Sequence, residues 1–177
     1  MLNIRTLVTP INQFMTIEDA NYWVKHLQLH PHPEGGFYKE VYRSPKQVTR
    51  NPPAGLKSAC TSIYYLLSGA DFSGFHRIES DEIWYFHKGA PLHIHVIDAN
   101  GLLTTHELSD QLTGNLQTVV EAGQWFAAEL PGADGYSLVS CAVAPGFDFS
   151  EFKMAKKAEM LQQYPTHTEL INRLCRL

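Results

Sequence analysis

The stretch Ser73-Gly74-Phe75-His76-Arg77-Ile78-Glu79-Ser80-Asp81-Glu82-Ile83-Trp84-Tyr85-Phe86-His87-Lys88-Gly89 decides how this chain is read. Aromatic and β-branched residues dominate Gly74 to Ile78 and Glu82 to His87, which predicts two short strands. The polar run Glu79-Ser80-Asp81 between them has turn chemistry. A three-residue connection predicts a hairpin, with Ile78 opposite Glu82 and His76 opposite Trp84. Because strand side chains alternate, His76, Ile78, Glu82, Trp84 and Phe86 share one face, and Arg77, Ile83, Tyr85 and His87 the other. His76 and Glu82 are then diagonal partners, about 7–8 Å apart at the backbone and within reach of each other's side chains. A titratable pair is expected to face an apolar wall.

Outward from this stretch the chain reads as a series of short strands. Phe37 to Arg43, Cys60 to Leu67, Leu92 to Ile97, Leu102 to Leu108, Gln117 to Val120, Gln124 to Leu130 and Tyr136 to Val143 are each bounded by Gly, Pro, Asn or Asp. Asn100-Gly101 is a type I′ hairpin signal. Either Tyr64 or Tyr65 must point inward. Thr16-Ile17-Glu18-Asp19 predicts a capped start for a helix to about Leu27, with Ala20, Trp23, Val24 and Leu27 on one face. Prolines at 31 and 33 make the stretch around His26, His30 and His32 a rigid connector. Ser44 to Lys57, rich in Pro, reads as a long loop that covers a pocket mouth. His93 and His95 take the parity opposite Leu92, Ile94 and Val96 and are expected to be solvated. From Glu151 the period becomes helical, with a capping box at Thr166-His167-Thr168-Glu169. Strands first and helices at the ends predict one all-β domain over 1–177, with a helix at about 16–27, a barrel or sandwich at about 35–150 and helices at about 151–177.

At 177 residues the chain is long enough to bury roughly 70% of its unfolded surface. Hydrophobic residues at 44% and charged residues at 18% place it among globular proteins. A net charge of −4, with 14 Lys and Arg scattered along the chain, gives no electrostatic footprint for nucleic acid or an anionic membrane. No apolar run approaches the roughly 18 residues of a membrane span, and no leader pattern opens the sequence. The three cysteines, Cys60, Cys141 and Cys175, form no metal or disulfide pattern, so a reducing cytoplasm is expected.

The central stretch resembles the first motif of the cupin superfamily, G-x(5)-H-x-H-x(3,4)-E-x(6)-G, with His76, Glu82 and Gly89 at matching positions and Ile78 where the pattern has its second histidine. Val120 to Gly132 resembles the second cupin motif but carries no histidine. Two further strings, His32-Pro33-Glu34-Gly35-Gly36-Phe37-Tyr38 and Ala144-Pro145-Gly146-Phe147-Asp148-Phe149, narrow the likeness to the small cupin family of unknown function that opens with HPEGG. The resemblance covers about Leu29 to Phe152. It implies a double-stranded β-helix, the jelly-roll barrel, with flanking helices, and it implies a homodimer.

Three functions are weighed. The first is a metal-independent isomerase or epimerase of a sugar or other carbonyl compound, by analogy with the nucleotide-sugar epimerases that share the jelly roll. His76 is then the general base, Glu82 orients it, and Tyr64 or Tyr136 donates to the developing oxyanion. The second is a binding module for a small polar molecule, with Trp84, Phe86, Trp125, Phe126 and Tyr136 as aromatic walls and Glu34 as a further ligand-binding carboxylate. The third is a metal-dependent cupin enzyme, which needs two ligands beyond His76 and Glu82, a role open to Glu34, Glu129 or water. The expectation is that no metal or cofactor is used, because two pattern histidines are missing.

Overall fold

A computed structural model of the protein describes residues 19–50 and 55–176. Its elements in order are α1 (Ala20–Leu27), β1 (His30–Pro31), β2 (Phe37–Arg43), β3 (Gln47–Arg50), β4 (Gly55–Ser58), β5 (Thr61–Ser68), β6 (Phe72–Arg77), β7 (Asp81–Gly89), β8 (Leu92–Ile97), β9 (Leu103–Leu108), β10 (Gln117–Val120), β11 (Trp125–Glu129) and β12 (Tyr136–Ala144). There follow a 3₁₀ turn (Phe149–Glu151), β13 (Lys153–Met154), α2 (Lys157–Gln163), a second 3₁₀ turn (Pro165–His167) and α3 (Thr168–Leu174). Among these described residues no helix is long and apolar enough to cross a membrane.

The strands form a six-stranded sheet, β1-β2-β5-β12-β7-β10, and a five-stranded sheet, β13-β6-β11-β8-β9, with β3 and β4 as a separate pair. All ladders within the sheets are antiparallel, and the sheets face each other as a jelly-roll barrel. Between them lie Tyr65, Trp84, Phe86, Ile94, Phe126 and Val139. The outer face of the five-stranded sheet is covered by α2 and α3, where Phe75, Ile97, Trp125 and Ala127 meet Met160, Ile171 and Leu174. On the other side α1 lays Ala20, Trp23, Val24 and Leu27 over Leu29, Leu66 and Leu138.

The strand series and the inward parity of β6 and β7 are as expected, but the hairpin between them does not form. β6 pairs with β11 and β13, and β7 with β12 and β10. Residues 78–80 instead turn a barrel corner from one sheet to the other. There Gly123 N–H donates to Ile78 O (2.8 Å), and Ser80 Oγ donates to Pro145 O (2.6 Å). Both edges of each strand are taken by other partners, so a short polar connection could not impose local pairing.

Other local expectations are met in part or corrected. The interval Ser44 to Lys57 contains the β3–β4 pair, with residues 51–54 outside the described part. Lys57 Nζ bonds Asp148 (3.3 Å) and Glu151 (3.1 Å), and Arg50 bonds Glu151 (2.6 Å) and Ser80, so this hairpin is fastened to the turn after β12. Helix α1 begins with Asp19 as its cap, accepting from Tyr22 N–H, while Thr16 and Glu18 lie outside the described residues. Thr166 falls in a 3₁₀ turn, and α3 has no side-chain cap. His95 is buried, because Thr105 on β9 and Glu129 on β11 flank it and Arg173 of α3 closes over Glu129.

The bend at His32 to Gly36 carries the chain from β1 to β2 and touches β6 on the opposite sheet. Gly74 N–H and Arg176 Nε both donate to Glu34 O at 2.8 Å. Gly36 needs its left-handed φ of +67°, and a Cβ there would lie 2.6 Å from Leu66 O. Gly36→Ala is therefore expected to cost at least about 2 kcal/mol, from strained φ and the backbone clash together. In a chain of this size that is a melting temperature lower by roughly 4–8 °C, measurable by calorimetry.

Candidate functional site

A cavity of about 400 Å³ opens between the sheets, lined by β2, β5, β12, the start of β7 and the segment 147–152. Strand alternation explains its lining. His76 and Ile78, Glu82, Ile63, and Cys141 with Val143 are the inward positions of their segments. Glu34 reaches the same space from the bend, and Phe147, Phe149 and Phe152 close one side.

His76, 2% exposed, is fixed at both ring nitrogens. Nδ1 lies 2.8 Å from Gly74 O, which can only accept, so Nδ1 carries the hydrogen. Nε2 lies 3.0 Å from Glu34 Oε2. Two lone-pair atoms do not approach so closely without a proton between them, so the Glu34–His76 pair shares one. Burial determines where it rests. Desolvation pushes His76 down to about 4, opposed by its bond to Gly74. Desolvation also raises Glu34, against the pull of His32, the Ser73 and Tyr65 hydroxyls and Arg176. Both directions favour a neutral imidazole accepting from a protonated carboxyl.

Two more groups complete the polar wall. Glu82 is raised to about 8 by burial above all, and further whenever Glu34 is ionised, against a bond with Cys141, so it carries a proton at neutral pH. His32 Nδ1 accepts from Glu34 N–H (3.3 Å), leaving its hydrogen on Nε2. Burial lowers His32 as well, opposed by Glu34 and assisted by His76.

Of the residues singled out from sequence, His76, Glu82 and Glu34 are brought to this cavity. The carboxyl in contact with His76 is Glu34, where Glu82 had been expected. Tyr64 is not at the site: its parity sends it to the outer face against α1, and Tyr65 is the inward one, its hydroxyl donating to Gly35 O (2.7 Å). Tyr136 shares that outer face and accepts from Trp23 Nε1 (2.9 Å). Trp125 faces the C-terminal helices, with the Arg77 guanidinium 4.8 Å from its ring. Trp84 and Phe86 are inside the barrel but belong to the core beyond the cavity. The aromatic wall comes from Tyr38, Phe147, Phe149 and Phe152. Sequence reasoning missed His32 and these phenylalanines as site residues, although two of the strings that carried the family likeness contain most of them.

The cupin pattern is a metal-ligand pattern, and these donors do not fit it. Buried Ile78 occupies the place of the second histidine, and Ile63 and Val143 give the cavity hydrocarbon beside it. His76 Nε2 is engaged by Glu34. Among the described residues no group of three or more His, Cys, Asp or Glu is arranged to hold a metal ion.

Comparison with known proteins agrees with this architecture. A hypothetical protein from Leishmania major is 36% identical, with a TM-score of 0.83 over 90% of this chain and 99% of its own. Protein SO0799 from Shewanella oneidensis is 38% identical, with a TM-score of 0.82 over 89% and 98%. The uncharacterized protein YML079W of Saccharomyces cerevisiae is 28% identical over 150 residues, 76% of this chain and 74% of that one. Residues 21–155 match the family described as cupin superfamily (DUF985), and the chain is a member of that family.

Proposed function

We propose that the cavity binds a small hydroxycarbonyl compound and isomerises or epimerises it by proton transfer, with Glu34 and His76 as a neutral acid–base pair. The observation that carries this reading is the buried 3.0 Å contact between His76 Nε2 and Glu34 Oε2, whose geometry requires one shared proton. When a ligand carbonyl accepts the Glu34 hydrogen, the Nε2 lone pair is released beside it. His76 then removes the proton from the carbon next to the carbonyl while Glu34 protonates the oxygen. An enediol faces an imidazolium and a carboxylate, and no net charge has been created in a medium where charge is costly. When the imidazolium returns its proton to the neighbouring carbon and the Glu34 carboxylate takes one from the hydroxyl there, the compound is isomerised; epimerisation requires the enediol to turn its other face to the imidazolium before the proton returns. Protonated Glu82 donates to a second ligand oxygen, in place of the tyrosine expected from sequence.

Exchange of the proton next to the carbonyl in deuterated water, followed by NMR across a panel of keto sugars and hydroxyketones, tests the proposal. Exchange is expected with wild type, and His76→Asn and Glu34→Gln are each expected to slow it by about 10²–10⁴-fold. No exchange across the panel, or an unchanged rate in a folded His76→Asn protein, would leave the cavity as a binding site without chemistry.

The same proton inventory sets the pH dependence of stability. Glu82, raised from 4.5 to about 8, keeps a proton that the unfolded chain loses, so stability falls as pH rises between those values. His76, lowered from 6.5 to about 4, acts oppositely, but that gain levels off just above pH 6.5. Between pH 6.5 and 8 the Glu82 slope is therefore only weakly opposed by His76, and stability is expected to drop by about 1–2 kcal/mol. Denaturant unfolding of Glu82→Gln should show a flatter profile over that interval.

A further inference from the structure

The cavity is built in three levels. Deepest are Glu34, His76 and Glu82, all buried. At the rim Arg43 bonds Glu40 through Nε (3.0 Å) and Nη2 (2.7 Å) and reaches Phe147 O (3.3 Å). Asp148, also at the rim, is held by Lys57. Arg43 and the Lys57 that backs Asp148 are thus both engaged by carboxylates, and the floor holds two carboxyls that burial keeps neutral. Neither level offers a charge to an incoming anion, and an anion placed beside Glu34 and Glu82 would oppose its own burial.

Between floor and rim the walls are rings. Phe147, Phe149 and Phe152 stand edge to face, with centroids 4.9–6.1 Å apart. Phe149 is 53% exposed, an unusual state for a ring that has neighbours of its own kind to pack on. The turn that displays it is fixed rather than loose. Asp148 caps it at Ser150 N–H (2.8 Å), Lys57 bonds Asp148 and Glu151, and Arg50 bonds Glu151. A half-exposed ring on a fastened turn at a cavity mouth is a preorganised apolar contact.

We infer that the ligand is an uncharged hydroxycarbonyl compound bearing a planar ring, its oxygens on Glu34 and Glu82, its reacting carbon against His76 and its ring against Phe147 and Phe149, and not a phosphorylated or nucleotide-linked sugar. This rests on the proton-transfer reading for the polar end; the ring contact and the charge balance of the rim are independent of it.

Four probes separate the features: 2-hydroxyacetophenone has the ring and no charge, dihydroxyacetone neither, dihydroxyacetone phosphate the charge alone, and UDP-glucose a nucleotide. Titration calorimetry is expected to show 2-hydroxyacetophenone binding at least about tenfold more tightly than dihydroxyacetone, with both charged probes weaker than dihydroxyacetone. Phe149→Ala, at an exposed position that leaves the core intact, should abolish the advantage of the ring. The affinity should change less than about twofold between low and high salt, because no screened charge contact is made. Tighter binding of either charged probe, an unaltered preference in Phe149→Ala, or no binding of 2-hydroxyacetophenone overturns the inference. Binding of that probe without proton exchange would remove the catalytic reading and leave this one in place.

Discussion

Three ionisable side chains, Glu34, His76 and Glu82, are buried in one cavity, and the cost of removing charge from water governs what surrounds them. An isolated buried ion costs several kcal/mol even after the protein relaxes. The barrel meets this constraint by holding the groups in neutral forms that satisfy one another: Glu34 donates to His76, His76 donates to Gly74 O, and Glu82 contacts Cys141. Each of these contacts depends on strand parity, because a one-residue slip of β6 would turn His76 out toward α3 and Phe75 into the cavity.

Separation of β6 and β7 into opposite sheets gives the site its depth. In a hairpin, His76 and Glu82 would be neighbours on one surface, free to form a simple ion pair. Across a barrel corner they approach the same space from two walls, and the room between them is the cavity. His76 and Glu82 stand where the cupin pattern places metal ligands. Here the third polar group is a carboxyl from the HPEGG bend, and Ile78 presents hydrocarbon where another donor would be needed. The outcome is a site whose electrostatics are set by shared protons, in which net charge is kept near zero at every depth.

What was legible in the sequence was governed by local periodicity. Alternation in Gly74 to Ile78 and Glu82 to Phe86 placed five side chains on the correct inner face, and the apolar stripe of α1 identified the surface it covers. Asn100-Gly101 marked its turn, where Gly101 takes a φ of +81°. The errors came from long-range choices that no short window contains. Which strands pair across the barrel corner, whether Tyr64 or Tyr65 points inward in a run apolar on both faces, and where the bend at Glu34 lands are settled by tertiary contacts. Trp125 and Tyr136 were assigned to the pocket for being aromatic, but strand parity gives both to the outer faces and the covering helices. Phe147 and Phe149 reach the site because the chain doubles back after β12, held there by ion pairs to β3 and β4.

The hydrogen bond from Arg176 Nε to Glu34 O spans 142 positions in sequence. A ribosome presents the chain from its beginning, so the HPEGG bend emerges long before the guanidinium that fastens it. β6, whose Gly74 holds the other side of the same carbonyl, also arrives well ahead of α3. Loop-closure entropy opposes such distant contacts until the intervening strands have paired. The bend that carries Glu34 is therefore fastened twice, by a strand of the opposite sheet and by a side chain far along the chain, so its geometry rests on contacts that no local folding of the bend can supply.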